Sequence, residues 1–510
     1  MVEPEELFLL KHAGEKKVDP LVSRRFALPA GRDDNAISCT PRRILLSRIN
    51  RASSKVGNAF SPPTAPSHVA WQRINTGPSQ APLFLSRLGV DLNSGTHPVN
   101  STKTLQYVFL PSYQVDLNMR AIAVLPVLIL TAVAAHTDAF PSPEAFRPLS
   151  TQMLDSVISR RQGIVSSGAP TSTLEAGILS HALRSWVDLY SWCPEGKNFS
   201  SYLDAVLDAT LPSFKSANAS TKLPMDRLTL GYALLNLHRP LSANESAVLS
   251  ILNGSLALQP RTPEGGFWYY IYANWSYLDG TVSFLPFMAK TGWSDTEMLL
   301  QLHLLETHCA HQSGLLVHGY DASKTAVWAN NSTGGSPFVW GRSMGWFLMG
   351  LVEAYPCVPQ TVQTFIRNTL KTIIPVLIDL ADNSTGVWWQ LPTFPGREGN
   401  FLESSSTALY IFSILKASRL QIVEPSWDHI SKALKAYSYV AKNFVVHYGN
   451  GTLGYNGTVA VNSLNSTATY QYYTTRPIVP NSLLGESAFV LASLEVERMA
   501  FDWWNNKQTK

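Results

Sequence analysis

Two aspartates stand where a carboxyl group could act on a bound molecule rather than simply meet solvent. Asp226 lies in Leu-Pro-Met-Asp-Arg-Leu and Asp279 in Asn-Trp-Ser-Tyr-Leu-Asp-Gly-Thr, each at the start of a helical pattern. Such a carboxylate can serve as an N-cap, accepting from backbone amides left unpaired at a helix start. It can equally serve as a proton donor or acceptor beside a glycosidic bond, where carboxyl groups in tuned surroundings are required. Position alone leaves both readings open. Residues 316–346 add weight to the second. Val-His-Gly-Tyr-Asp-Ala-Ser-Lys is followed by Trp-Ala-Asn and then Trp-Gly-Arg-Ser-Met-Gly-Trp, which brings His318, Trp340, Arg342 and Trp346 into one loop and helix start. A guanidinium offers a planar fork to a carboxylate, and indole faces pack on apolar ring faces. The competing structural reading pairs Arg342 with Asp321 among core tryptophans.

The elements that must position these residues read as helices. Apolar positions recur with helical spacing over about 146–164, 174–191, 198–215, 226–238, 243–256, 279–291, 293–311, 341–356, 358–382, 401–420, 427–447 and 482–504. Val362, Ile366, Leu370, Ile373 and Leu377 mark one such face. Breakers such as Pro263-Glu264-Gly265-Gly266 separate the runs. No strand–helix alternation is visible, so a parallel sheet is not expected. The runs pair into six helical hairpins, which predicts an all-α fold, an (α/α)6 barrel of inner and outer helices with hairpin loops shaping a pocket at one end. A helical solenoid competes, but no fixed repeat period is present. A few short strand pairs are expected in 385–400 and 450–475.

Composition places the chain in a compartment. It has 510 residues, 45% hydrophobic and 15% charged, which excludes disorder throughout. Residues 1–118 carry 14 Lys/Arg against 9 Asp/Glu, while the remainder sums to −1, and no basic stripe points to nucleic acid. Met119-Arg120, the apolar run Ala121–Ala135 and the small residues to Ala139 have the form of a secretory signal. That run is too short to span a bilayer, which takes roughly 20 residues. The expected organisation is therefore 1–118 as a gene-model extension or disordered segment, 119–139 as a signal peptide, and 140–510 as one catalytic domain. Eleven Asn-x-Ser/Thr sequons, from Asn198 to Asn465, agree with export. Cys193, Cys309 and Cys357 allow at most one disulfide, and no Cys/His cluster has metal-ligand spacing. A secreted monomer without metal, cofactor or stable membrane association is expected.

Taken together, Leu278-Asp279-Gly280, His318-Gly-Tyr-Asp-Ala-Ser-Lys324, Trp340-Gly-Arg-Ser-Met-Gly-Trp346, Arg397-Glu-Gly-Asn-Phe-Leu-Glu403-Ser and Gly485-Glu-Ser-Ala resemble, in order, the unsaturated rhamnogalacturonyl hydrolases of glycoside hydrolase family 105. These are relatives of the family 88 unsaturated glucuronyl hydrolases, and the likeness spans essentially 140–510. The Trp-Gly-Arg-x-Met-Gly-Trp block is specific, whereas Leu-Asp-Gly alone is weak. The resemblance implies a six-hairpin barrel, which agrees with the helix count. It implies that Asp279 is the acid/base and Asp226 the second aspartate, the latter by spacing rather than motif. It also implies that Tyr277, His318, Trp340, Arg342 and Trp346 line the pocket, with Arg342 and His318 holding a carboxylate or hydroxyls.

The substrate that the resemblance implies is an unsaturated uronyl oligosaccharide left by a polysaccharide lyase, with ΔGalA–Rha as the usual case. Its C4=C5 bond is an enol ether conjugated to a carboxylate. Protonation at C4 and addition of water at C5 give a hemiketal that opens and expels the neighbouring sugar. Asp279 must carry a proton at the outset, and aromatic desolvation with the like charge of Asp226 would favour that form. Three rivals remain: an inverting glycosidase on saturated glycosides, a helical-barrel polysaccharide lyase, and a non-catalytic carbohydrate-binding protein.

Overall fold

A helix apolar along one stripe belongs on the outside of a bundle, and one apolar all round belongs inside it. That distinction sorts the helices here. The computed structural model describes residues 147–164 and 171–508. The expected extension, signal peptide and opening residues of the catalytic domain lie outside the described residues. Twelve helices of eight or more residues occur among the described residues: α1 Leu149–Ser159, α2 Ser172–Leu189, α3 Gly196–Thr210, α4 Leu228–Leu235, α5 Ala243–Ala257, α6 Thr281–Thr291, α7 Asp295–Cys309, α8 Gly341–Ala354, α9 Gln360–Leu380, α10 Ser404–Arg419, α11 Trp427–Asn443 and α12 Leu483–Gln508. Each falls on one of the periodic runs read from the sequence.

The helices close into a ring. α2 packs on α4, α4 on α6, α6 on α8, α8 on α10, α10 on α12, and α12 returns to α2. These six are the inner wall. Every residue of α8 is buried, and α10 is buried except near its end. The helices between them in sequence form the outer layer. α9 shows the pattern of an outer helix, burying Val362, Ile366, Leu370, Ile373 and Leu377 along one stripe. Inner helices approach closely. A Cβ on Gly350 of α8 would lie 2.5 Å from the Thr281 carbonyl oxygen of α6, so only glycine fits there. No helix of the described residues is long and apolar enough to cross a membrane.

The expected strands are placed differently. β1 Trp275–Tyr277 pairs antiparallel with β2 Gly319–Asp321, with Tyr277 opposite Gly319. β3 Val445–His447 pairs with β4 Leu453–Tyr455, only partly inside the expected 450–475 window. Within the 385–400 window there is a single bridge, Trp389 to Leu402. Three-residue strands are too short to show a period of two, so β1 and β2 leave no trace in hydrophobic patterning. Among the described residues Cys193, Cys309 and Cys357 form no disulfide, and the first two are buried. The fold is held by its core.

Candidate active site

The β1–β2 pair positions the candidate residues. Asp279 sits in a 3-10 turn, Leu278–Gly280, that joins β1 to α6. The pairing places His318, just before β2, beside it, because the Leu278 amide donates to the His318 carbonyl. The Asp279 Oδ2 accepts a 2.5 Å hydrogen bond from Ser343 Oγ in the first turn of α8 and lies 3.3 Å from His318 Nε2. His318 is fully buried, and its Nδ1 is 2.8 Å from the Tyr473 hydroxyl. Neither aspartate is an N-cap of the kind first considered. Each precedes its helix in a turn with no capping bond to the helix amides.

Asp226 occupies the corresponding turn, Met225–Arg227, before α4. The turn is pinned from below by Arg227, whose guanidinium reaches Ser255 Oγ at 2.9 Å and Gln259 Oε1 at 2.6 Å. Burial pushes the Asp226 carboxyl up from 3.8 to about 7, opposed by a hydrogen bond from Tyr269 and assisted by the negative charge of Asp279. The Tyr269 hydroxyl donates to Asp226 Oδ2 at 2.7 Å, while Oδ1 is buried without a partner. Asp226 is 1% exposed and Asp279 7% exposed. Tyr269 stacks on Tyr277 at 4.4 Å, and Tyr277 meets the His318 ring edge-on at 5.3 Å, so one aromatic chain links the two carboxyl groups.

Both aspartates line one cavity of about 740 Å³, together with Tyr277, Trp340, Arg342 and Trp346. All the expected pocket residues are thereby brought together except His318, which sits behind Asp279 and not on the cavity wall. Arg342 does not behave as expected. It neither pairs with Asp321 nor offers its fork to the cavity centre. Its Nη1 donates to the Val459 carbonyl at 2.7 Å and to Ser405 Oγ at 3.3 Å, and its Nη2 donates to the Ala460 carbonyl at 2.8 Å. Asp321 is instead satisfied locally by the amides of Ser323, Thr325 and Ala326. Trp340 is fixed by its indole N–H on Gln390 Oε1 at 3.2 Å.

Four residues of the site escaped the sequence reading. Ser343 lies inside the Trp-Gly-Arg-Ser block, so its neighbourhood was visible though its role was not. Tyr269 follows the Gly265-Gly266 turn in an aromatic run without a distinguishing pattern. Asn462 and Arg476 also line the cavity, on a segment with no helical period at all.

Comparison with known proteins decides the family. The sequence model described as Glycosyl Hydrolase Family 88 matches residues 179–500. The chain belongs to that family. It is a hydrolase of glycosidic bonds. Similarity also extends to a family 105 glycoside hydrolase structure from C. acetobutylicum, at 26% identity and a TM-score of 0.61, covering 69% of this chain and all of that one. An unsaturated glucuronyl hydrolase from a Bacillus sp. shares the fold at 11% identity and a TM-score of 0.51, covering 68% and 95% of the two chains. Protein Atu3128 of Agrobacterium fabrum is 29% identical over 195 residues, 36% of this chain and 83% of that protein. The six-hairpin barrel of this family 88 hydrolase places the candidate cavity over the inner helix ends.

Proposed function

We propose that this hydrolase removes a 4,5-unsaturated galacturonyl residue from rhamnogalacturonan lyase fragments, and that it does so as a secreted glycoprotein. The observation that carries the chemistry is the pair Asp226 and Asp279 on one aromatic-walled cavity, with Asp226 pushed up to about 7. A pair in which one carboxyl keeps a proton near neutrality can supply that proton and then accept one.

In this reading Asp279 transfers its proton to C4, and the electron pair of the double bond forms the new C–H bond. Positive charge develops at C5 and the ring oxygen. Water adds at C5 as its proton passes to the Asp279 carboxylate. The hemiketal then opens and releases the neighbouring sugar, so no bond to C1 forms with the protein. Ser343 and His318 fix the carboxyl group in place, and Trp340 and Trp346 present ring faces to the sugar. A second reading makes Asp226 the donor and Asp279 the base for water, and the upward shift of Asp226 favours it.

The test uses lyase-generated disaccharides from several polymers and follows loss of the alkene's ultraviolet absorbance. Rhamnogalacturonan fragments should be consumed fastest. Preferred cleavage of saturated glycosides, or appearance of absorbance from intact polymer, would overturn the reading. The two donor assignments separate by chemical rescue: formate should restore turnover to Asp279→Ala alone in the first reading, and to both Asp279→Ala and Asp226→Ala in the second, where each carboxyl carries one proton transfer.

A further inference from the structure

Arg342 holds a segment of chain that carries its own polar groups into the cavity. Residues 458–460 run antiparallel to 477–479: Val459 bridges Ile478, the Ala460 amide donates to the Pro477 carbonyl at 2.8 Å, and the Val479 amide donates to the Thr458 carbonyl at 2.7 Å. This two-stranded rim is fixed at Val459 from both sides. Its carbonyl accepts from Arg342, and its amide donates to Glu403 Oε1 at 3.0 Å. Continuing the register places Val461 beside Arg476, with Asn462 next. Asn462 and Arg476 both line the cavity.

Each of the two has unspent hydrogen-bonding capacity. Asn462 is only 4% exposed, and neither its Oδ1 nor its Nδ2 has a partner among the described residues. A buried amide with both ends unsatisfied is strongly disfavoured unless something in the cavity completes it. Arg476 Nε is likewise buried and unpartnered, and no ion pair of Arg476 occurs among the described residues. Its guanidinium lies 5.5 Å over the Tyr472 ring, a contact that orients the group without neutralising it. Two aspartates and two arginines line the cavity: Asp226, Asp279, Arg342 and Arg476. Three N–H groups of Arg342 are spent on the Val459 and Ala460 carbonyls and Ser405 Oγ, whereas Arg476 has a buried, unpartnered Nε and no ion pair among the described residues, which makes it the freer cation to meet an incoming anion.

We propose that Arg476 and Asn462 form the recognition edge of the cavity, Arg476 binding the uronyl carboxylate and Asn462 bridging sugar hydroxyls through its carbonyl and amide. This rests on the reading of the substrate as a uronyl sugar. Arg342 becomes a positioning residue that docks the rim, and the carboxylate-binding role expected of it passes to Arg476.

The test compares an unsaturated galacturonyl–rhamnose disaccharide with its methyl ester, which removes the negative charge and little else. The wild type should favour the acid in kcat/KM, and Arg476→Gln should shrink that preference by on the order of tenfold to a hundredfold. Arg476→Lys should retain part of it. A structural role would slow both substrates equally, so an unchanged acid-to-ester ratio in Arg476→Gln overturns the proposal. Calorimetric binding of saturated galacturonyl–rhamnose and its ester gives the same ratio without turnover. If the wild type consumes no lyase fragment, the catalytic reading fails while the binding ratio still decides this one. Asn462→Leu should raise KM with Tm kept or increased, because it removes unsatisfied polar atoms. A lower Tm with unchanged KM would overturn the role given to Asn462.

Discussion

Replacing Asp226 by Asn should make the protein more resistant to alkaline destabilisation while removing activity. In the folded chain this carboxyl is raised from 3.8 to about 7. Between those values the folded state binds a proton that the unfolded state has lost. Stability from this group is therefore complete below 3.8 and disappears as pH rises through about 7. At 1.36 kcal/mol per unit, the wild type should lose about 3 kcal/mol through this group between about pH 5 and about pH 8. The amide cannot ionise and loses none of it. For a barrel of this size that corresponds to a relative gain in Tm of roughly 3–4 °C for Asp226→Asn at the alkaline end. Glu486 and Glu497 are also pushed up to about 7 by burial, but they titrate identically in both proteins and cancel in the difference. The assay is paired denaturant melts of wild type and variant across the pH series. A gap between them that does not change with pH would refute the reasoning, because it would mean that Asp226 is ionised in the folded protein throughout.

The same shift predicts that kcat/KM falls on the alkaline side with an apparent pKa near 7 belonging to the carboxyl pair; a flat profile through that region would contradict it. Asp279→Asn should lower kcat by about 10²–10⁴-fold with little change in Tm, since Ser343 can still donate to the amide oxygen, as checked by initial rates and thermal melts. Gly350→Ala should destabilise by at least ~2 kcal/mol, because the new methyl would lie 2.5 Å from the Thr281 carbonyl oxygen and 2.8 Å from the Val282 amide nitrogen. Glu353→Gln, at the far end of α8, should destabilise by about 3 kcal/mol, because it leaves His181 and Lys416 without their buried anion. His181 and Lys416 hold Glu353 below its ordinary 4.5 against the effect of burial, so the wild-type advantage over this variant should be present above 4.5 and vanish as pH falls through the depressed value.

The barrel was legible because its signal is distributed over many residues. Each inner or outer helix repeats its apolar positions over several turns, and Val362 through Leu377 already named the buried stripe of α9. The carboxyl pair was legible through its aromatic and motif context. The hydrogen-bonded geometry was not. β1 and β2 are three residues each, yet their register is what puts His318 behind Asp279. Arg342 was read as a ligand for substrate because a guanidinium announces affinity for anions. Its actual partners are carbonyls of Val459 and Ala460, 117 and 118 positions away, and a backbone carbonyl has no residue type by which a sequence can reveal it.

That reassignment changes what the Trp340–Trp346 block does. Its arginine, together with Glu403 at the start of α10, grips both polar groups of Val459 and so sets the height of the rim above the aspartates. Trp328 fixes the same segment further on, through its indole N–H to the Leu464 carbonyl at 2.7 Å. The groups that anchor the rim are thus different from the groups the rim presents. Proton transfer in the proposed mechanism depends on Asp226, Asp279 and Ser343, which sit on inner-helix turns. Recognition in this reading depends on Asn462 and Arg476, which sit on the anchored rim. A substitution of Asn462 or Arg476 can therefore alter which sugar is preferred while leaving the carboxyl pair in place. A substitution of Arg342 releases the rim itself, so it should weaken recognition of both acid and ester and also shrink the preference for the acid, because Arg476 moves with the rim.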